Sequence, residues 1–168
     1  MSLTTRKIPL RNRAGEVIAD AIVDQADYER AMAAGRWSLN RRRGYVYRKA
    51  TTDGRSREVK LHRFIMEAGP EDPMVDHINR DVLDNTRANL RFATNAQNQQ
   101  NRGINSRGSS RHRGVYWQKD IGRWRAKVTL NGENHYLGTF TDEDEAGRVA
   151  QEWRRKNMPY SEERLMSA

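Results

Sequence analysis

The 168-residue sequence contains no cysteine. Disulfide bonds are therefore excluded, and so are zinc sites with thiolate ligands, which leaves oxygen or imidazole groups to bind any metal ion. The sequence also lacks an apolar run long enough to span a membrane. Its first residues, MSLTTRKIPL, lack the apolar stretch of a signal peptide. We therefore expect a cytoplasmic chain without a membrane partner.

Apolar residues are scarce, at 36% of the chain, whereas charged residues make up 32%. This composition favours several small packed units over one large core. Lys and Arg number 31 against 22 Asp and Glu, a formal charge of +9. Such an excess suits a polyanion, most simply nucleic acid, although a soluble protein can also be basic without binding one.

The spacing of apolar and turn-forming residues predicts an α+β fold that begins with a β-rich region over residues 1–60. Two strands flank the turn NRAG, a helix follows Asp24 as its cap and ends at Gly35, and further strands enclose the turn DGRS. The stretch KLHRFIMEAG then predicts a helix that ends at Gly69.

A second module is expected over residues 61–102. The stretches MVDHI and NLRFAT predict two short strands separated by a polar loop, and Thr94 with Gln97 forms a capping box for a helix from Asn95 to about Arg102. Residues 103–110 are polar and rich in Gly and Ser, which indicates a linker and a domain boundary.

The third module, residues 111–168, predicts a three-stranded antiparallel sheet packed on one helix. Alternation in GRWRAKVTL places four apolar residues on one face, namely Trp124, Ala126, Val128 and Leu130. We expect this face to pack on the helix through Val149 and Trp153. Thr141 and Asp144 are expected to start that helix as a capping-box-like pair.

The opposite face of the sheet is basic and is the candidate surface for double-stranded DNA. A short sheet of this kind can lie in the major groove, where Arg reads guanine and Lys neutralises phosphate. The candidate contacts are Arg113, Tyr116, Gln118, Lys119, Arg123, Arg125, Lys127 and Thr129. The alternative is a solvated charged face, but such a face would carry charges of both signs.

The segment SRHRGVYWQKDIGRWRAKVTLNGENHYLGTFTDEDEAGRVAQEW resembles the apetala-two (ethylene-response-factor) DNA-binding domain. The family landmarks fall on residues 113–115, 124–126, 137–140 and 145–150. The resemblance implies that the sheet reads the major groove. Gly147 stands where the family has alanine and is expected to weaken the helix slightly. Tyr116 and Gln118 stand where the plant proteins carry arginine, so their target sequence does not transfer.

Asp76, His77 and the asparagines after them suggest phosphodiester hydrolysis, which needs a base for water and a cation for the leaving oxygen. Asp76 and His77 alternate across their strand, so one can face a metal ion while the other faces water. The helix can return Asn98 to Asp76, and a carboxylate with an amide oxygen suits Mg²⁺ or Mn²⁺. Asn89 can clamp the loop by bonding two backbones, which would orient His77. Alternatively, all of these are ordinary loop polar residues.

The same stretch resembles the HNH (ββα-metal) nucleases of the phage and intron-encoded type. The landmarks that match lie at His62-Arg63, Asp76-His77-Ile78, Asn85, Asn89-Leu90, Thr94 and Asn98. The resemblance implies that His77 is the general base, Asp76 and Asn98 are the metal ligands and Asn89 is structural. Asn101 is the rival ligand but lies three residues further along. The products would be a 5′-phosphate and a 3′-hydroxyl, and a phage protein would work in the host cytoplasm.

The other three histidines are expected elsewhere: His62 packs or contacts phosphate, and His112 and His135 lie near the DNA surface or a turn. One active site cuts one strand, so a monomer should nick and a double-strand break would need a dimer or two events. The main alternative is a DNA-binding regulator with an inert nuclease fold. An RNA-directed protein is disfavoured because the sheet lacks paired exposed aromatic residues.

Overall fold

The computed structural model describes residues 4–103 and 108–161. Helices and strands are mixed, as the sequence predicts, with ten strands and four α-helices in the described residues. The chain divides into two compact units, residues 1–94 and residues 95–168. The predicted linker lies partly outside the described residues, and the predicted domain boundaries stay predictions. None of the described helices has the length and apolar character needed to cross a membrane.

The described residues of the first unit form three small antiparallel sheets, two α-helices and a short 3-10 helix at Arg87–Asn89. Its elements are β1 (Thr5–Arg11), β2 (Val17–Asp24), α1 (Gln25–Ala33), β3 (Ser38–Asn40), β4 (Tyr45–Thr52), β5 (Arg55–Lys60), α2 (Leu61–Ile65), β6 (Met74–His77) and β7 (Leu90–Ala93). β1 pairs with β2, β4 lies between β3 and β5, and β6 pairs with β7. The expected turn at Asp53-Gly54 joins β4 to β5, with both residues at positive φ.

α1 stops at Gly35 as predicted, since Ala34 is its C-cap and Gly35 has a φ of +114°, but the cap of α1 and the end of α2 differ from the sequence predictions. Asp24 precedes α1, but its side chain makes no cap hydrogen bond, because Oδ2 accepts from the backbone N–H of Arg87 at 2.8 Å. α2 ends at Ile65, four residues before Gly69. The cause is Glu67, whose φ of +56° turns the chain out of the helix although it is not glycine.

One hydrophobic core joins the N-terminal strands to the segment that carries β6 and β7. It includes Ile8, Leu10, Val23, Trp37, Leu61, Ile65, Val75 and Leu90. Backbone hydrogen bonds reinforce this connection, since Ile22 N–H donates to the Leu83 carbonyl and Asn85 N–H donates to the Ile22 carbonyl, both at 2.7 Å. The predicted N-terminal region therefore forms part of the scaffold around residues 73–93.

The second unit contains α3 (Asn95–Gln100), β8 (Val115–Gln118), β9 (Arg123–Leu130), β10 (Glu133–Phe140) and α4 (Glu143–Asn157). β9 is the central strand of an antiparallel sheet. Its apolar face packs as predicted, with Trp124, Ala126, Val128 and Leu130 in one cluster. The residues of α4 in this cluster are Ala146, Ala150 and Trp153, so the expected contact through Val149 is wrong. α3 ends two residues before the predicted Arg102.

The start of α4 is also shifted by one residue. Asp142, not Thr141, is the N-cap, and its Oδ1 accepts from the Glu145 N–H at 2.7 Å. Acidic residues fill the first turn and basic residues fill the last. Both arrangements stabilise the helix because they complement its dipole.

Two histidine rings of the second unit contact α4. A Cβ at Gly147 would lie 2.6 Å from His112 Nδ1, so the ring occupies the space that an alanine methyl group would need. His112 Nε2 lies 2.7 Å from Asp144 Oδ1. His135 stacks on Trp153 with ring centroids 4.6 Å apart. Gly147 is therefore a packing requirement rather than the simple helix weakening expected. His112 lies at a turn, one of the places predicted for it, since its carbonyl accepts from the Val115 N–H at 3.3 Å.

Candidate active site

His77 ends β6 and is buried, with 8% of its surface exposed. Its Nε2 lies 3.3 Å from Oδ1 of Asn85, a fully buried residue whose Nδ2 donates to the Val82 carbonyl at 3.0 Å. Because the amide nitrogen faces a carbonyl, the amide oxygen faces the ring. With the amide in this orientation His77 Nε2–H donates to Asn85 Oδ1, and Nδ1 is the nitrogen of the neutral ring that carries the lone pair.

The environment of His77 keeps its imidazole neutral. Burial lowers the pKa of the ring, and the hydrogen bond to Asn85 and the charge of Asp76 offset only part of this effect. A neutral imidazole at neutral pH can accept a proton from water. Sequence reasoning included Asn85 among the family landmarks but gave it no role, although a buried Asn eight residues after a His is within reach across a loop.

The loop between β6 and β7 is ordered by short polar side chains. Asp81 N–H donates to Asn79 Oδ1 at 2.8 Å, Leu83 N–H donates to Asp81 Oδ1 at 2.9 Å, and Thr86 N–H donates to Asp84 Oδ1 at 3.2 Å. Each side chain replaces a backbone partner that a regular strand or helix would provide. The abundance of Asn and Asp in this stretch therefore has a structural explanation.

Asn89 closes this loop with its amide group. Its Oδ1 accepts from the Asn79 N–H at 2.9 Å, and its Nδ2 donates to the Asp84 carbonyl at 2.8 Å and to Asn79 Oδ1 at 2.9 Å. The amide thus bonds two backbone positions, the arrangement that the sequence suggested for a clamp. Because the loop carries Asn85, the clamp fixes the partner of His77.

Asp76 is paired with Arg91, its direct neighbour on β7. Arg91 donates from Nη2 at 2.9 Å and from Nε at 3.2 Å to Asp76 Oδ2, and the Arg91 and Asp76 side chains are 15% and 11% exposed. Arg91 was not singled out from the sequence, although an arginine opposite an aspartate on paired strands is a recognisable signal. The pairing places a cation where a metal ligand is predicted.

The predicted ligands, Asp76 and Asn98, would give a divalent ion few protein ligands. The described residues contain no cluster of three or more His, Cys, Asp or Glu side chains that could hold a metal ion. A Mg²⁺ site with one carboxylate and one amide would rely on water and phosphate oxygens for its remaining ligands, as Mg²⁺ sites commonly do. Asn98 lies half-buried on α3, and its role as the second ligand stays a prediction.

A surface cavity of about 240 Å³ gives access to His77 and Asp76. Its other lining residues are Gly44, Tyr45, Lys60, His62, Arg63, Met74 and Val75. Asp76 is the one acidic residue among those lining it, whereas Lys60 and Arg63 are both basic. The cavity therefore suits an anionic group such as a phosphodiester, and the buried ring of His77 lies at its wall.

His62 packs against His77 at this cavity. The ring centroids lie 5.1 Å apart at an interplanar angle of 79°, and burial is the main cause that lowers the pKa of His62 to about 3. Its Nδ1 is buried and has no hydrogen-bond partner among the described residues. His62 is therefore a neutral packing partner of His77, one of the two roles predicted for it.

The structure brings most of the predicted DNA contacts to one face of the second unit. Register pairs Tyr116 with Arg125 and Gln118 with Arg123. This face also carries Lys127 and Thr129, which pair with Tyr136 and Asn134 on β10. The Arg125 guanidinium lies 4.6 Å from the centroid of the Tyr136 ring. Alternation along β10 could have revealed Tyr136 and Asn134, which the sequence analysis left out.

Two predicted contacts lie outside this paired face. Lys119 follows β8 and is exposed. Arg113 precedes β8, is half-buried and donates to the carbonyl groups of Gln99 and Gln100 at the end of α3. A role of these residues in DNA binding stays a prediction.

The segment that carries the candidate site is similar to known proteins. Residues 59–100 match the family model described as HNH endonuclease. The chain is 35% identical over 97 residues to an uncharacterized HNH endonuclease of Acanthamoeba polyphaga mimivirus, a match that covers 55% of this chain. The chain spans about half the length of that curated relative, since the match covers 49% of it. No solved structure matches the chain.

Proposed function

We propose, on the premise that residues 59–100 form an HNH endonuclease domain, that this chain is a metal-dependent endonuclease that nicks double-stranded DNA. The observation that carries the proposal is the placement of His77. Its ring is held by Asn85 and lies with Asp76 at the wall of a cavity that also contains two cations. The proposed base, the candidate metal ligand and two basic side chains that could bind an anion thus line the same cavity.

The proposed reaction starts with a water molecule beside His77 Nδ1. The imidazole accepts a proton from this water while the oxygen attacks phosphorus, and the bond from phosphorus to the 3′-oxygen breaks. The leaving oxygen is protonated by solvent, which gives a 3′-hydroxyl and a 5′-phosphate. Lys60 and Arg63 neutralise the phosphate that enters the cavity. A Mg²⁺ or Mn²⁺ ion held by Asp76 and Asn98 would stabilise charge on the leaving oxygen.

The second unit supplies DNA docking in this proposal. Its exposed sheet face carries Arg123, Arg125 and Lys127 beside Tyr116 and Tyr136. Cations and aromatic rings on a narrow antiparallel sheet suit the major groove. With the resemblance to the apetala-two family, this arrangement supports a homing-type enzyme of phage or mobile elements, which cuts with one module and is positioned by the other.

The proposal is tested by conversion of supercoiled plasmid to open circles. We expect the full chain to nick with Mg²⁺ or Mn²⁺ and to be inactive in EDTA, and His77→Ala to lose nicking while it still binds DNA. His135→Ala is the matched control, because His135 contacts Trp153 on α4 and should not be needed for cleavage. Normal nicking by His77→Ala would refute the base. DNA binding without cleavage by the wild type with either metal would favour the inert regulator.

A further inference from the structure

We infer that Arg113 is a positioning residue for cleavage: it holds the end of α3, the helix that carries Asn98, and so makes the C-terminal domain part of the nuclease machinery. This inference rests on the proposed function and on the metal-binding role proposed for Asn98. It differs from the role that the sequence suggests for Arg113, which is DNA contact.

Arg113 caps α3 with both of its terminal nitrogens. Nη1 donates to the Gln100 carbonyl at 2.8 Å, and Nη2 donates to the Gln99 carbonyl at 3.2 Å. The last four carbonyl groups of a helix have no partner within the helix, and a cation there also complements its dipole. The last turn of α3 contains no basic residue of its own. Arg113 therefore supplies a cap from outside the helix.

α3 depends on such outside contacts because it has only six residues, NAQNQQ. Isolated helices shorter than about 12 residues are marginal in water, and asparagine is a poor helix former. A further contact comes from the Tyr160 N–H, which lies 3.3 Å from Gln100 Oε1. The orientation of Asn98 thus depends on how firmly the end of α3 is held.

The sheet and α4 hold Arg113 itself in place. Its carbonyl accepts from Arg154 Nη1 at 2.6 Å, and Arg154 is buried on α4. The next residue, Gly114, has a φ of +81°, and a Cβ there would lie 2.8 Å from the Lys127 carbonyl. Lys127 N–H also donates to the Gly114 carbonyl at 2.8 Å. A continuous path of contacts therefore runs from β9 and α4 through Arg113 to α3.

The experiment compares Arg113→Gln with Arg123→Gln, which remove the same charge from the same domain. Arg123 lies on the exposed sheet face and is a candidate DNA contact. Three quantities are measured: affinity for a DNA duplex in EDTA, the Mn²⁺ concentration that half-saturates nicking, and hydrogen exchange of the amides of residues 97–102 in the protein alone. Thermal unfolding confirms that both variants are folded.

We expect Arg113→Gln to raise the half-saturating Mn²⁺ concentration by roughly tenfold or more, the usual effect of losing a residue that orients a metal ligand. Exchange of the α3 amides should become faster, and DNA affinity in EDTA should stay at the wild-type value. Arg123→Gln should do the reverse: weaker DNA binding with unchanged exchange and Mn²⁺ dependence. Arg113→Lys should recover part of the loss, because one ammonium group can bond a carbonyl but lacks the guanidinium fork.

The inference is overturned if Arg113→Gln weakens DNA binding as Arg123→Gln does and leaves α3 exchange and Mn²⁺ dependence unchanged. Arg113 would then be a DNA contact. Failure of the proposed function gives a different result, because the wild type would not nick under any condition. The exchange comparison uses neither DNA nor metal, so it would still decide whether Arg113 holds α3.

Discussion

At the scale of single residues, Gly147 shows how a neighbouring ring can outweigh helix propensity. Alanine is a better helix former than glycine by about 1 kcal/mol. The His112 ring, however, occupies the space that the alanine methyl group would need. Propensity alone therefore gives the wrong sign for a substitution at this position.

We predict that Gly147→Ala lowers the free energy of unfolding, because overpacking costs about 1–3 kcal/mol and exceeds the gain in propensity. In a His112→Ala background the same change should stabilise the protein by up to about 1 kcal/mol, since the ring is gone. Urea unfolding of the wild type, both single variants and the double variant measures the four unfolding free energies of this double-mutant cycle. Equal effects of Gly147→Ala in the two backgrounds would contradict the contact.

The buried ring of His62 should make the folded protein less stable in acid. Its pKa falls from 6.5 in the unfolded chain to about 3 in the folded protein, so below pH 6.5 the unfolded state binds a proton that the folded state does not. Stability is therefore lost as pH falls below 6.5, by up to about 1.4 kcal/mol per pH unit. His62→Phe should reduce the difference in unfolding free energy between pH 7 and pH 5.5. An unchanged difference would show that His62 does not titrate in this way.

At the scale of elements, the β6–β7 pair places Arg91 on the carboxylate that is the proposed metal ligand. An ion pair with little exposure is costly to break from one side, because the remaining charge loses its partner. If Arg91 were substituted, a divalent ion at Asp76 would replace the lost positive charge. Arg91 and the proposed metal ion would therefore compete for one carboxylate.

We predict that Arg91→Leu lowers stability in EDTA by about 3 kcal/mol. Mn²⁺ should raise the unfolding temperature more in this variant than in the wild type, since the ion no longer displaces a guanidinium. Thermal unfolding with EDTA and with Mn²⁺ checks both statements. The double variant Arg91→Leu/Asp76→Asn is the control and should show no Mn²⁺ shift. An equal shift in wild type and Arg91→Leu would argue against Asp76 as the ligand.

The exposed face of β9 predicts a salt-dependent contact with DNA. Arg123→Gln combined with Lys127→Gln should weaken binding uniformly across sequences and reduce the slope of log affinity against log salt by about 0.9 for each lost phosphate contact. Fluorescence anisotropy over a range of NaCl concentrations measures this slope. Lys7→Gln with Arg13→Gln removes the same charge from the β1–β2 hairpin, where both residues are exposed, and should leave the slope unchanged.

The elements also show which features a sequence can predict. Alternation located β9 and its two faces, and turn residues located the β4–β5 hairpin, because both signals are local. Helix ends were less predictable, because Asp24 bonds the backbone of Arg87, which lies 63 positions away. The contacts of Asn85 with His77 and of Arg113 with the end of α3 were missed for the same reason. Each depends on a partner that only the folded chain brings within hydrogen-bond distance.

At the scale of the whole molecule, the proposed active site occurs once in the chain. We predict that open-circular plasmid forms first and that linear product appears only after open circles accumulate. Gel analysis of time courses at several enzyme concentrations measures the order of appearance. Linear product formed directly from supercoiled DNA would indicate that two chains act together.

The shared core of the first unit limits how the proposed nuclease domain could be moved between genes. The side chains that enclose β6 and β7 include Ile8, Leu10 and Val23, which lie far upstream of the matched segment. A recombination event that transferred residues 59–100 alone would carry the candidate reactive groups but leave behind upstream side chains that share a core with Val75 and Leu90. The smallest segment that could be transferred with the proposed activity should therefore begin at or before β1. Chimeras joined near residue 59 should be insoluble, rather than soluble with a reduced cleavage rate.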